Sequence, residues 1–324
     1  MYDKEGLIMN SENKIYDSIV DNISTKKVIN KKVRINYNLS DTKPPTPMEI
    51  VWLFFNYLIL ICWSLIVLFP AVSLIVASLN VNNQRVVAIT PFKFGFDNFT
   101  YLFTSERSYF LRWYGNTLLL AFLTMVISTI CVALNAYAYS RFKFAGSKHS
   151  LTIIMMLQMI PATSSLICLY IIVRMGNDLG INSILMLVII YSGGAISSNT
   201  FMLKSYLDTV SRELDDSARV DGCSNWGLFF KILLPVIMPA LIMTALWSFL
   251  TPFTDVILPK FVLISNEEKT LAVGLDILLN AEEKHKNAGA YAAGSILASL
   301  PAFCLFMYLQ KYIVGGLSEG AVKG

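Results

Sequence analysis

Six stretches of this 324-residue chain run for twenty residues or more without Asp, Glu, Lys or Arg. They extend from Ile50 up to Arg85, and over Trp113–Tyr139, Leu151–Val173, Asn182–Leu203, Ile232–Thr254 and Ala288–Gln310. A helix rising 1.5 Å per residue needs about 20 apolar residues to cross a hydrocarbon core of about 30 Å. A helix of a soluble core keeps a wet face and shows a charge every turn or two. The pattern predicts an all-α, polytopic membrane protein with six transmembrane helices. Residues 1–48 precede the first stretch as a polar tail, and 49–324 form the membrane domain.

Composition agrees: hydrophobic residues make up 55% of the chain and charged residues 15%, against about 25% charged in an average soluble domain. Intrinsic disorder of the whole chain, a disulfide scaffold and collagen are excluded. The distribution of charge adds orientation. The seven flanks of the six stretches carry eight, four, three, one, four, four and two Lys or Arg in order, so alternate flanks hold 17 against 9. The positive-inside rule places the richer set, and with it both termini, in the cytoplasm.

The tail has no apolar core of a signal peptide and is rich in Lys, Asn, Ser and Asp. Its composition predicts a solvated, disordered segment. A polybasic contact of Lys26–Arg34 with anionic lipid is the alternative. Cys62, Cys131, Cys168 and Cys304 lie in apolar runs and Cys223 in a loop, with no metal or redox spacing. His149 and His285 fall on opposite sides. Ionisable residues inside spans mark proton and ion paths, and none lies well inside a run. Arg174, Asp255 and Lys260 stand only at the ends. Pro161, Gly193 and Gly194 within spans read as packing devices. Gln158, Asn135, Ser192, Ser197 and Asn199 could line a path or bond neighbouring helices, and bonding is the favoured reading. A short helix is expected near Asp97–Phe103.

The flank 204–231 differs from the others. Leu203, Leu207, Val210, Leu214 and Ala218 recur at spacings of 4, 3, 4 and 4, one face of an α-helix. Asp221–Gly222 should end that helix. Trp226, Phe229, Phe230 and Leu233 form a second apolar stripe leading to Pro235 and the fifth span. The loop reads as a charged two-helix hairpin, either a docking element or an amphipathic connector on the bilayer surface.

The stretch from Glu213 to Pro239, ELDDSARVDGCSNWGLFFKILLPVIMP, resembles the EAA loop of binding-protein-dependent ABC importer permeases. Asp216, Ser217 and Ala218 stand at the E-A-A positions, Asp221–Gly222 at the D-G, Phe229 at the aromatic, and Leu234–Pro235 at the L-P. Asp216 for Glu and Ser217 for Ala depart from the pattern. Trp113–Leu118, Tyr137–Gly146, Thr270–Leu275 and Ala293–Pro301 resemble further segments of such permeases. The ending from Gln310 to Gly324 resembles that of the MalG-type subunit of carbohydrate importers.

The resemblance implies the type I permease fold and a coupling loop at about 204–231 that docks on an ATPase. Asp216 would pair with a basic residue there, and Leu214 and Phe229 would brace the hairpin. Gly222 would permit the turn. It implies as partners a second permease subunit, two copies of an ATP-binding subunit, an extracytoplasmic sugar-binding protein and membrane lipid, with no nucleic acid. ATP and Mg would sit on the ATPase, since this chain has no G-x-x-x-x-G-K-[ST], and no catalytic site, cofactor or metal is expected here. The compartment implied is a prokaryotic plasma membrane, and the cargo a maltose- or maltodextrin-like sugar. The region Ser265–Asn287 is expected to meet the binding protein. A permease for another sugar or glycerol phosphate, a stand-alone carrier or channel, and a membrane enzyme remain as alternatives. The substrate path is not legible.

Overall fold

A computed structural model describes residues 47–81, 93–105, 108–280 and 287–321. The tail assigned to 1–48 therefore lies outside the described residues apart from its last two. Within the described residues regular structure is helical, with one isolated bridge between Asn80 and Phe94. The chain divides into two units, Met1–Ser64 and Leu65–Gly324. Helix α1, Pro47–Leu79, contains the boundary.

In the first unit α1 opens on Pro47, whose missing N–H costs nothing in a first helical turn. From Ile50 to Ser64 every residue is exposed. A helix apolar on all sides suits lipid rather than water.

The second unit holds the remaining helices. These are α2 (Asp97–Thr104), α3 (Phe110–Arg141), α4 (Ser147–Leu157), α5 (Leu166–Asp178), α6 (Ser183–Asp208), α7 (Arg212–Val220), α8 (Leu234–Thr254), α9 (Ile257–Val262), α10 (Leu271–Asn280) and α11 (Ala288–Ala321). The short helix expected near Asp97–Phe103 is α2. Helices α3, α6 and α8 pack on one another as the centre of the bundle, with α11 against α8 and α5 against α6.

Among the described residues five helices are long and apolar enough to cross a membrane: Ile50–Leu79, Phe110–Arg141, Ser183–Asp208, Asn225–Thr254 and Ala288–Tyr312. The third of the six expected runs is not one continuous helix. It is α4, a 3₁₀ turn at Ala162–Ser165, and α5. Pro161 is the cause. It has no N–H, its ring excludes the carbonyl of Leu157 four residues back, and Leu157 is where α4 stops.

Three buried clusters hold this unit together. Leu120, Leu187, Val173, Leu258 and Val262 join α3, α6, α5 and α9. Leu102, Phe110, Trp113, Leu271 and Ala293 join α2, α3, α10 and α11. In this second cluster Gly274 is required by contact: a Cβ there would overlap the indole of Trp113. The indole N–H donates to the Asn266 carbonyl at 2.7 Å, and Asn116 donates to the carbonyls of Glu267 and Lys269 at 2.8 and 3.1 Å. The segment Ser265–Lys269 is thus sewn to the start of α3. The third cluster contains Val132, Ala136, Tyr137, Leu203, Leu207, Ala218, Leu228, Phe229 and Leu233. It mounts the hairpin on the bundle.

Candidate functional site

The hairpin begins where α6 ends. The periodicity from Leu203 to Ala218 predicts one helix, but α6 stops at Asp208 and α7 starts at Arg212. Thr209 and Val210 are β-branched and stiff in a helix. Ser211 is extended (φ −55°, ψ 136°), and its Oγ accepts the Glu213 N–H at 3.2 Å as an N-cap. Leu203 and Leu207 consequently belong to the core under α6. Leu214, on the new helix axis, is 40% exposed and stands outside the buried cluster that mounts the hairpin.

Helix α7 buries Asp215 and Ala218 and exposes Leu214, Asp216, Ser217 and Val220. Its end has two reciprocal bonds, Cys223 N–H to the Ala218 carbonyl at 2.9 Å and Gly222 N–H to the Arg219 carbonyl at 3.0 Å. This Schellman arrangement places its residue past the cap in the left-handed region, and Gly222 has φ +79°. No heavy atom lies within 4 Å of the position a Cβ would take. Backbone conformation alone, not crowding, calls for glycine here.

The second arm starts at Ser224, whose Oγ caps the Gly227 N–H at 3.2 Å. One helical turn, Asn225–Gly227, leads into a π-helical stretch, Leu228–Leu233, and then α8. Pro235 in the first turn of α8 has no N–H to return to Lys231. Just before it the ladder widens, with Leu234 N–H reaching the Phe229 carbonyl. Phe229 is 2% exposed. Its ring lies 4.9 Å from that of Tyr137, and the Tyr137 hydroxyl donates to the Asn225 carbonyl at 3.0 Å. Trp226 and Phe230 stack on the outer surface instead, at 5.9 Å.

The two arms are clamped by the last turn of α3. Arg141 Nε lies 2.7 Å from Asp215 Oδ2, with side chains 3% and 8% exposed. The same guanidinium donates to the carbonyls of Leu207 and Val210 at 3.3 and 3.2 Å. Arg141 therefore holds α7, the end of α6 and the break between them at once. Beside it, the Ser140 hydroxyl donates to Asp208 at 2.5 Å, and Arg212 donates to the Ser140 carbonyl at 3.0 Å. Lys204 pairs with Asp208 at 2.5 Å.

Of the residues expected to form this site, Ala218 and Phe229 lie inside it as anchors. Gly222 and Asp221 form its turn, with Asp221 as C-cap. Glu213, Leu214, Asp216 and Ser217 lie on the exposed side of α7, and Pro235 is exposed at the start of α8. Sequence reasoning did not find the clamp. Tyr137 and Arg141 lie in a segment noted for its resemblance, but nothing in their spacing links them to Asn225 or Asp215.

The expected packing role of Gly193 and Gly194 does not hold within this chain. Nothing lies within 4 Å of either Cβ position. Gly194 lines a cavity of about 780 Å³ between α5, α6, α8 and α9, and so does Asn199. Among the described residues no group of three His, Cys, Asp or Glu is placed to hold a metal.

Residues 132–318 match the family model described as binding-protein-dependent transport system inner membrane component. The chain is 38% identical over 270 residues to the maltodextrin transport system permease protein MdxG of Bacillus subtilis, covering 83% of this chain and 95% of that one. It is 38% identical over 275 residues to the galactooligosaccharides transport system permease protein GanQ of the same organism, covering 84% and 96%. A crystal structure of a bacterial ABC transporter that imports the acidic polysaccharide alginate shares the fold, with a TM-score of 0.68 at 20% identity, covering 84% of this chain and 99% of that one. The stand-alone carrier and the membrane enzyme, open on the sequence alone, are set aside. With its long apolar helices and its hairpin mounted on α3, this chain belongs to the family of inner membrane components of binding-protein-dependent transport systems, and it is a transport subunit, not an enzyme.

Proposed function

We propose that this chain is one of two membrane subunits of an ATP-driven importer of maltodextrin-like oligosaccharides. A binding protein outside would deliver the sugar, and two copies of a separate ATP-binding subunit, carrying ATP and Mg, would dock on the cytoplasmic side. Both termini of this chain would face the cytoplasm. The exposed side of α7 and the Trp226–Phe230 pair would enter a groove on one ATPase. Asp216 would meet a basic residue there, as its exposure on the outer side of α7 favours.

The observation that carries this reading is the mounting of the hairpin. Its inner residues are locked to α3 and α6 through Arg141, Tyr137 and Phe229. Its outer surface leaves apolar residues bare, with Val220 at 88% and Trp226 at 63% exposed. A connector resting on lipid needs no such clamp, whereas an element that transmits force does. The maltodextrin assignment draws on the names of the relatives at 38% identity.

The test is copurification of the tagged chain from its native membrane. An ATP-binding subunit and a second permease are expected with the wild type. A chain that purifies alone and still moves oligosaccharide overturns the proposal.

A further inference from the structure

The cavity of about 780 Å³ lies between α5, α6, α8 and α9. Trp247 is twelve residues beyond Pro235 on α8, about 18 Å along the axis at 1.5 Å per residue. Such a volume falls in the range of ligand sites, about 300–1,000 Å³. Its walls are mostly apolar, which alone would suit lipid or a neighbouring helix. Three polar groups argue otherwise.

Ser248 is 1% exposed, borders the cavity, and its hydroxyl has no partner among the described residues. A buried hydroxyl without a partner is unfavourable and rare in a folded protein. The Asn199 amide, half-buried across the cavity on α6, has no hydrogen bond among the described residues either. Nor has the indole N–H of Trp247, a side chain 58% exposed beside Ser248. Gly194, one turn before Ser198, removes side-chain bulk from the opposite wall. An exposed aromatic face and an unpaired amide around an open volume match the chemistry of a pyranose. Its apolar C–H face stacks on a ring while its hydroxyls donate and accept at the rim.

The charge of the cavity narrows the class. Among the described residues Asp255 is the one formally charged residue lining it. One oxygen accepts the Tyr191 hydroxyl at 2.8 Å and the other accepts the N–H groups of Ile257 and Leu258 at 2.9 and 3.4 Å. This fixes the carboxylate between α6 and α9. Among the described residues no Lys or Arg lines the cavity to receive an anion.

We propose that this cavity is a subsite of this chain for neutral oligosaccharides, with Trp247 as the stacking face, Asn199 as the hydroxyl partner, and Asp255 as the group that rejects acidic sugars. It deepens, and rests on, the oligosaccharide-importer reading above.

The test uses the complete importer, with its binding protein, reconstituted in liposomes. Uptake of labelled maltotriose and ATP hydrolysis are measured together, with an alginate trisaccharide as the acidic probe. Trp247→Ala should reduce maltotriose uptake about tenfold, the equivalent of losing one stacked face, while Trp247→Tyr retains most of it. Asn199→Ala should reduce it severalfold. Binding-protein-stimulated ATP hydrolysis should persist in all three variants. Asp255→Asn should admit the acidic probe that the wild type rejects. Unchanged uptake in Trp247→Ala and Asn199→Ala overturns the subsite and leaves the importer standing. Loss of the second permease from the Trp247→Ala complex, with uptake per assembled complex intact, makes the cavity a subunit socket and overturns it equally. A wild-type complex that hydrolyses ATP in response to the binding protein but moves no maltotriose overturns the oligosaccharide reading and the subsite with it.

Discussion

Arg141 in the last turn of α3 and Asp215 in the first turns of α7 form an ion pair, Nε to Oδ2 at 2.7 Å, that is almost wholly buried. Two charges leave water here and are repaid only by each other and by the carbonyls that Arg141 also reaches. Removing one partner of such a pair costs about 3–5 kcal/mol, because the other is left buried and uncompensated. Arg141→Met should therefore free α7 from the bundle, abolish uptake and expose the hairpin to limited proteolysis. Arg141→Met combined with Asp215→Leu should recover part of the protection. Wild-type uptake by the single variant would show that transport does not need the clamp.

Gly222 is held at φ +79° with open space around it. An L-residue in that conformation costs about 1–2 kcal/mol, and Asn is the substitute that tolerates it best. Uptake at matched membrane levels should fall in the order Gly222→Asn, Gly222→Ala, Gly222→Val, with none left for Val. A fully active Gly222→Val variant would rule out a coupling role for the turn.

Asp216 is exposed on the outer side of α7. Asp216→Lys should leave the thermal unfolding of the isolated chain within about 0.5 kcal/mol, as for other surface changes, yet reduce the ATPase retained on a tagged complex. Equal retention would remove Asp216 from the contact.

At the other end of α3, a methyl group added at Gly274 has to displace the Trp113 indole. Overpacking of this kind costs about 1–3 kcal/mol. Gly274→Ala should lower the melting temperature of the purified chain, and the loss should shrink when Trp113 is Leu. A double-mutant cycle measures that coupling, and additive losses would place the two side chains out of contact.

Chain order alone carried much of the architecture. The long uncharged runs at Trp113, Asn182, Ile232 and Ala288 are the helices of the bundle, and the hairpin was legible from its turn at Asp221–Gly222. The misses have physical reasons. Pro161 lay inside an apolar run whose length dominated the reading, so the break after Leu157 was not anticipated. Ser211 does not read as a cap in the sequence, because Leu203, Val210 and Leu214 keep helical spacing through it. The clamp was invisible because Arg141 and Asp215 are joined only by the packing of α3 against α6, and no local pattern encodes that. Gly193 and Gly194 read as packing residues, and among the described residues of this chain nothing packs within 4 Å of either Cβ position.

From Asn225 to Thr254 the chain is one 30-residue helical run, about 45 Å long at 1.5 Å per residue. It carries a hairpin arm at one end and the cavity wall at the other. Near the hairpin it contains a π-helical stretch, then Pro235 and Pro239, the features at which helices bend. Mechanically this is a rod with a flexure near its hairpin end. A tilt of about 10° at Pro239 would carry Thr254, about 22 Å further along the axis, sideways by about 4 Å. Stiffening the flexure, by Pro239→Ala for instance, would shorten that stroke without touching either end.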